Sequence, residues 1–228
     1  MDKITEIAHN YDAMLSDVKA LSDGKATLVL ASKTVEADLL KQFSALRPGV
    51  IYGENKVQEL LAKYFVSPDV EWQFIGRLQT NKVKYIVDKV TLIQSVDSLR
   101  LAEEIEKRSA KLGKVMNILV EVNVGGEENK GGVSESELFS LLDEIKKMPH
   151  LRLKGLMSVL PNAEEGVLRP LYQKLVALYH KVEKLQAENF EVEYLSAGMS
   201  GDYKIALQCG SNMVRVGSAV FGARHYTL

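Results

Sequence analysis

Cysteine is nearly absent from this chain of 228 residues, Cys209 being its only one. That excludes an internal disulfide and any cysteine-based zinc site, and it fits a reducing compartment, so a cytoplasmic location is expected. Neither sign of charge is in excess: 29 Lys and Arg face 30 Asp and Glu, a net charge of −1. With no basic tail or run, nucleic-acid binding and attraction to anionic membranes gain no electrostatic support. No apolar stretch is long enough to span a bilayer, and Met1 to Glu6 reads as the start of an amphipathic helix, not as a signal peptide. The four histidines, His9, His150, His180 and His225, fall on expected helices, a loop and the tail. A His-ligated metal and a Ser-His-Asp triad therefore find no support. No Walker-type loop and no G-x-G-x-x-G follows a strand.

What is present is an ordinary globular composition, 46% apolar and 26% charged, with five prolines and no Pro/Gly/Ser-rich linker. One domain spanning 1–228 is expected. Ile4, Ile7, Ala8, Tyr11, Met14, Leu15, Val18 and Leu21 repeat at helical spacing. Strands are then expected at Thr27–Lys33, Val50–Glu54, Glu71–Gly76, Thr91–Val96, Asn117–Asn123, Arg152–Val159, Tyr194–Gly198 and Met213–Gly217. Helical patterns separate them. Asp97 is expected to cap one helix, Ser134 to Glu137 has the form of a capping box, and Pro170 is expected in or near a first turn. Leu78, Val83, Ile86 and Val87 suggest a shorter helix. Eight strands alternating with helices indicate an α/β fold, a (β/α)8 TIM-type barrel with an extra N-terminal helix, preferred over a doubly wound open sheet.

In such a barrel the strand carboxyl ends form the active face. Lys33 ends the first strand and shares a face with Ala31 and Val29, opposite to Leu28 and Leu30. A partly desolvated lysine there is suited to Schiff-base formation, while the plainer alternative is a lysine that leaves the strand and snorkels to water. Leu195 to Asp202 brings two hydroxyls and two glycines before a short helix, and Gly217-Ser218 follows strand eight. Loops in these two positions are where barrels bind phosphate. Arg215 alternates with Met213 and Gly217, which points it into the barrel; a structural pair with Glu121 is the competing explanation. A Schiff-base lysine, a phosphate cradle and an inward arginine suggest pyridoxal 5′-phosphate (PLP). A Schiff-base aldolase acting on a sugar phosphate fits the same parts.

Six motifs carry a resemblance. They are Ala31-Ser32-Lys33-Thr34, Tyr52 to Leu60 (YGENKVQEL), Trp72 to Lys82 (WQFIGRLQTNK), Gly155-Leu156-Met157-Ser158, Leu195 to Ser200 (LSAGMS) and Arg215 to Gly222 (RVGSAVFG). In this order they resemble the signatures of the pyridoxal phosphate homeostasis proteins (YggS/PROSC type), which are similar to the N-terminal barrel of alanine racemases. The resemblance implies that Lys33 holds PLP as an internal aldimine. It also implies that Ser200, Gly217 and Ser218 hold the phosphate, that Arg215 faces the pyridine nitrogen and that Asn55 lies on the ring side. A cation at that nitrogen keeps it unprotonated and makes the ring a poor electron sink. The implied function is buffering or delivery of PLP without substantial turnover, with PLP-dependent apoenzymes as candidate partners. The alternative is a single-domain amino-acid racemase.

Gln73 and Arg77 stand where the family pattern suggests histidine. Racemisation needs acid–base groups on both faces of the substrate Cα. In alanine racemases the second comes from a C-terminal β-domain of the partner subunit, which is not expected in a chain ending at Leu228. Tyr52 and Tyr203 are the in-barrel tyrosines expected to be the only substitutes. Lys130, in a Gly-rich loop after strand five, is a further candidate for an anion contact during PLP entry or release.

Overall fold

Which face of each strand is buried against what decides this architecture. In β1 (Thr27–Ala31), Val29 and Ala31 join Ile75, Leu92, Leu119, Met157 and Met213 in one apolar cluster, while Leu28 and Leu30 belong to another, far larger one. The small cluster fills the inside of a closed parallel barrel, and the large one lies between the barrel and its helices. The computed structural model describes residues 2–127 and 131–222; Lys130 lies outside them.

The remaining strands are β2 (Val50–Glu54), β3 (Val70–Phe74), β4 (Leu92–Val96), β5 (Met116–Glu121), β6 (Leu151–Met157), β7 (Phe190–Ser196) and β8 (Met213–Val216). Each pairs in parallel with its successor, and β8 returns to β1 with Val29 opposite Arg215. The helices are α1 (Lys3–Leu21), α2 (Ala37–Leu46), α3 (Val57–Lys63), α4 (Leu99–Lys111), α5 (Glu135–Ile145), α6 (Glu165–Glu183), α7 (Tyr203–Cys209) and α8 (Ser218–Phe221). The expected (β/α)8 barrel with an extra N-terminal helix is thus present. No helix among the described residues is long and apolar enough to cross a membrane.

Local chemistry explains most boundaries. Asp2 caps α1 by accepting from the Thr5 amide, and Ser134 and Glu137 close a full capping box on α5. Three expectations need correction. Ser98, not Asp97, caps α4, because its hydroxyl reaches the Leu101 amide. The shorter helix after β3 is of the 3-10 type, Thr80–Tyr85, a piece of about two turns, in keeping with the short runs this geometry allows. Pro170 is the sixth residue of α6, past the first turn, where its missing N–H leaves one helical bond unmade.

Candidate functional site

At the barrel mouth the chain places the ends of β1, β2, β7 and β8 side by side. Lys33 lies in the turn just past β1, half-buried, in the wall of a cavity of about 540 Å³. Gly217 and Ser218 line the same cavity, and α1 closes its side with Ile7 and Asn10. Ser200, distant in sequence, joins them: its hydroxyl accepts from the Gly217 amide at 3.3 Å and lies 3.5 Å from the Ala219 amide. A Cβ on Gly217 would stand 3.0 Å from the Ala31 carbonyl oxygen, a tight contact that glycine avoids where β8 closes on β1. Lys33, Gly217 and Ser218 thus line one cavity, and Ser200 is tied to it through the Gly217 amide.

Asn55 follows β2, and its Oδ1 is buried without a hydrogen-bond partner. Its backbone is pressed against Gly76, where a Cβ would come within 2.2 Å of the Asn55 carbonyl oxygen. Glycine at 76 is thus what lets the β2 and β3 ends converge.

Arg215 is 4% exposed. Its Nη1 donates to the Ser196 carbonyl at 2.8 Å and to Ser196 Oγ at 2.7 Å, and its Nη2 donates to the Ser158 carbonyl at 2.8 Å. No ion pair with Glu121 forms, so the structural pair considered from the sequence is not what holds it. Burial pushes the guanidinium below its ordinary pKa, with Glu121 the main opposing influence. Burial, reinforced by Asp97, pushes the Glu121 carboxyl up, while Arg215 and Arg77 pull it back.

The arginine heads a hydrogen-bonded chain through the barrel interior. Ser196 Oγ donates to Gln94 Oε1 at 2.6 Å, Gln94 Nε2 to Gln73 Oε1 at 2.6 Å, and Gln73 Nε2 to Glu71 Oε1 at 2.8 Å. Gln73 is the third side chain below Arg215. Arg77 is exposed and lines a different cavity together with Asn55.

A second network, not anticipated, grips the peptides on both sides of Lys33. Ser32 Oγ donates to Glu54 Oε1 at 2.7 Å, and Lys63 Nζ reaches Glu54 Oε1 and the Ser32 carbonyl, each at 2.9 Å. Lys63 also pairs with Glu59 at 3.3 Å, and Glu59 Oε2 accepts from the Thr34 amide at 3.0 Å. Thr34 has φ of +66°, a left-handed conformation that costs a β-branched residue roughly 1–2 kcal/mol. Burial pushes the Glu59 carboxyl up, but the Thr34 amide and Lys63 outweigh it, and its pKa lies below the ordinary value. Glu54 and Lys63 are 0% and 8% exposed. The i, i+4 spacing of Glu59 and Lys63 was the one readable sign of this cluster.

The two tyrosines expected inside the barrel are elsewhere. Tyr52 is fully buried under α2, bonded to Ser44 Oγ at 2.9 Å and to the Leu40 carbonyl at 3.0 Å. Burial, only partly offset by Ser44, holds its pKa far above the usual tyrosine value. Tyr203 bonds Asp17 of α1. Both side chains face the helical layer. Among the described residues no group of three or more His, Cys, Asp and Glu could hold a metal ion.

Residues 4–225 match the family model of the alanine racemase N-terminal domain. The pyridoxal phosphate homeostasis protein of Aquifex aeolicus is 45% identical over 207 residues, covering 88% of each chain. That of Vibrio alginolyticus is 38% identical, covering 87% of this chain and 86% of its own. Among solved structures, PipY of Synechococcus elongatus with PLP bound superposes with a TM-score of 0.84 at 27% identity, covering 95% of this chain and 100% of that one.

Proposed function

The chain belongs to the family of pyridoxal phosphate homeostasis proteins, built on the alanine racemase N-terminal barrel, and from that premise we propose that it holds PLP through Lys33 and buffers or delivers it without substantial turnover. The observation that carries this reading is the cavity that Lys33 shares with Gly217 and Ser218, the Gly217 amide being bonded in turn to the Ser200 hydroxyl. A lysine and an anion cradle on one space are what an aldehyde bearing a phosphate requires. The names of the relatives and the PLP bound in PipY support the same cofactor.

In this reading Lys33 supplies the Schiff-base amine, while Ser200, Gly217 and Ser218 receive the phosphate. The unpartnered Asn55 Oδ1 marks the ring side, and Arg215 turns its fixed charge to the ring nitrogen. PLP when bound supplies a reversible covalent aldehyde link and an electron sink. Arg215 suppresses the sink, because a guanidinium at the nitrogen disfavours its protonation. Tyr52 and Tyr203 are turned toward the helices, so neither is placed to serve a second face of a substrate. One barrel domain carries the whole site, and PLP-dependent apoenzymes in the cytoplasm are the acceptors this function calls for.

The test is the absorbance of the purified protein. Wild type is expected to show a visible band, lost on borohydride reduction with PLP fixed at Lys33. Lys33→Ala should fold and lack the band. A reducible adduct at the same site in Lys33→Ala, or no band in wild type supplied with PLP, would overturn the reading. Incubation with L- or D-alanine should give no racemisation; turnover abolished by Tyr52→Phe or Tyr203→Phe would instead favour a racemase.

A further inference from the structure

A second cavity lies apart from the one beside Lys33. It measures about 950 Å³ and opens over the ends of β2, β3 and β4, between the 3-10 helix and the start of α4. Four cations line it, Lys56, Arg77, Lys82 and Arg100, against one carboxylate, Asp97. This excess of three positive charges sits on a chain of net charge −1. Several cations elsewhere are paired: Arg47 with Asp12, Arg108 with Glu104, Arg169 with Glu165, Lys204 with Asp17. Around this cavity Lys56 shares Glu59, at 3.4 Å, with Lys63, while Arg77, Lys82 and Arg100 make no ion pair among the described residues.

Converging like charges repel, and their fields add inside a concave wall, so the arrangement is stabilised by an anion that enters it. Two arginines favour a group that accepts paired hydrogen bonds, which points to phosphate. The rest of the lining is amide, hydroxyl and aliphatic, including Gln79, Thr80, Asn81 and Ser98, with no aromatic ring on which a base could stack. We propose that this cavity, which adjoins the proposed PLP site at Asn55 but shares no lining residue with the Lys33 cavity, is a second anion site that binds a small-molecule phosphate ester or pyrophosphate through Arg77, Arg100 and Lys82. Its volume leaves room for a phosphorylated molecule with bound water. The proposal does not require that Lys33 carry PLP.

The experiment is calorimetric titration of the PLP-saturated protein with inorganic pyrophosphate at physiological salt, with sulfate at equal ionic strength as reference. Wild type should show one saturable site, preferring pyrophosphate over sulfate. Arg77→Gln and Arg100→Gln should each weaken it about tenfold, and the pair by more. Both residues are exposed, so the variants should keep the fold and the visible spectrum; Lys82→Gln gives an independent third removal. Ser200→Ala should leave the isotherm unchanged. Equal binding in wild type and the double variant, no saturation, no preference over sulfate, or loss of the heat in Ser200→Ala would each overturn the second site. The visible band reports separately on Lys33, so failure of one assignment is not failure of the other.

Discussion

Arg215 is a buried cation whose direct hydrogen-bond partners carry no formal charge. Two carbonyls and a hydroxyl orient the guanidinium without neutralising it, which leaves its field free to act on a bound ring. Arg215→Gln removes the charge and strands those acceptors. It should cost roughly 2–4 kcal/mol by urea denaturation and alter the spectrum of bound PLP. Arg215→Lys keeps the charge and should preserve the spectrum while losing part of the stability. A spectrum that stays the same in Arg215→Gln, with PLP retained, would show that the arginine does not face the ring. The inward direction of this residue was legible from its alternation with Met213 and Gly217. Its partners were not, because Ser158 and Ser196 lie 57 and 19 residues away and offer backbone oxygens that no side-chain pattern records.

The turn between β1 and α2 is held from α3. Lys63 binds the carbonyl before Lys33 and, through Glu59, the amide after it. Lys63→Met would leave Glu54 charged, fully buried and without its ion-pair partner, at a cost of roughly 3–5 kcal/mol. Capture of PLP, followed by stopped-flow absorbance, should slow in this variant; an unchanged rate would mean that the turn holds its shape without α3. The acid limb has a definite sign. Glu59 titrates below its ordinary value of 4.5 when folded, so its contribution is full above that value and fades as pH falls through the lower folded pKa. The stability gap between wild type and Glu59→Gln should therefore narrow as pH falls below about 4.5. A gap that stayed constant would exclude an ionised Glu59. Helix ends with side-chain caps were legible here, as Ser134 shows. Glu54 was not, because β2 is covered on both faces and alternation does not say which buried side a polar residue takes.

At the scale of the molecule, Arg215, Ser196, Gln94, Gln73 and Glu71 join β8, β7, β4 and β3 through the barrel centre. Gln73→Leu leaves Gln94 with an unmade bond and should destabilise by roughly 1–3 kcal/mol. Gln73→Leu with Gln94→Leu removes both partners and should cost less than the sum of the single variants in a urea double-mutant cycle. Strict additivity would mean that the two amides do not interact. Barrel class and strand ends were readable because each βα unit repeats the same local pattern. This chain was not, since two glutamines in separate strands carry no mark of a shared layer. The cationic cavity escaped notice likewise, its charges being scattered over positions 56, 77, 82 and 100.

A hoop of eight strands resists stretching around its rim, because that breaks ladder bonds, yet it can flatten into an oval with every ladder bond intact. β3 stands opposite β7, and β4 opposite β8, so the Arg215-to-Glu71 line runs across the hoop as a spoke. Flattening along that diameter must break a spoke bond, while among the described residues no such hydrogen-bonded line crosses the diameter at right angles to it. The mouth is therefore stiff where Arg215 sits and most compliant toward β1 and β2, the side from which Lys33 and Asn55 project.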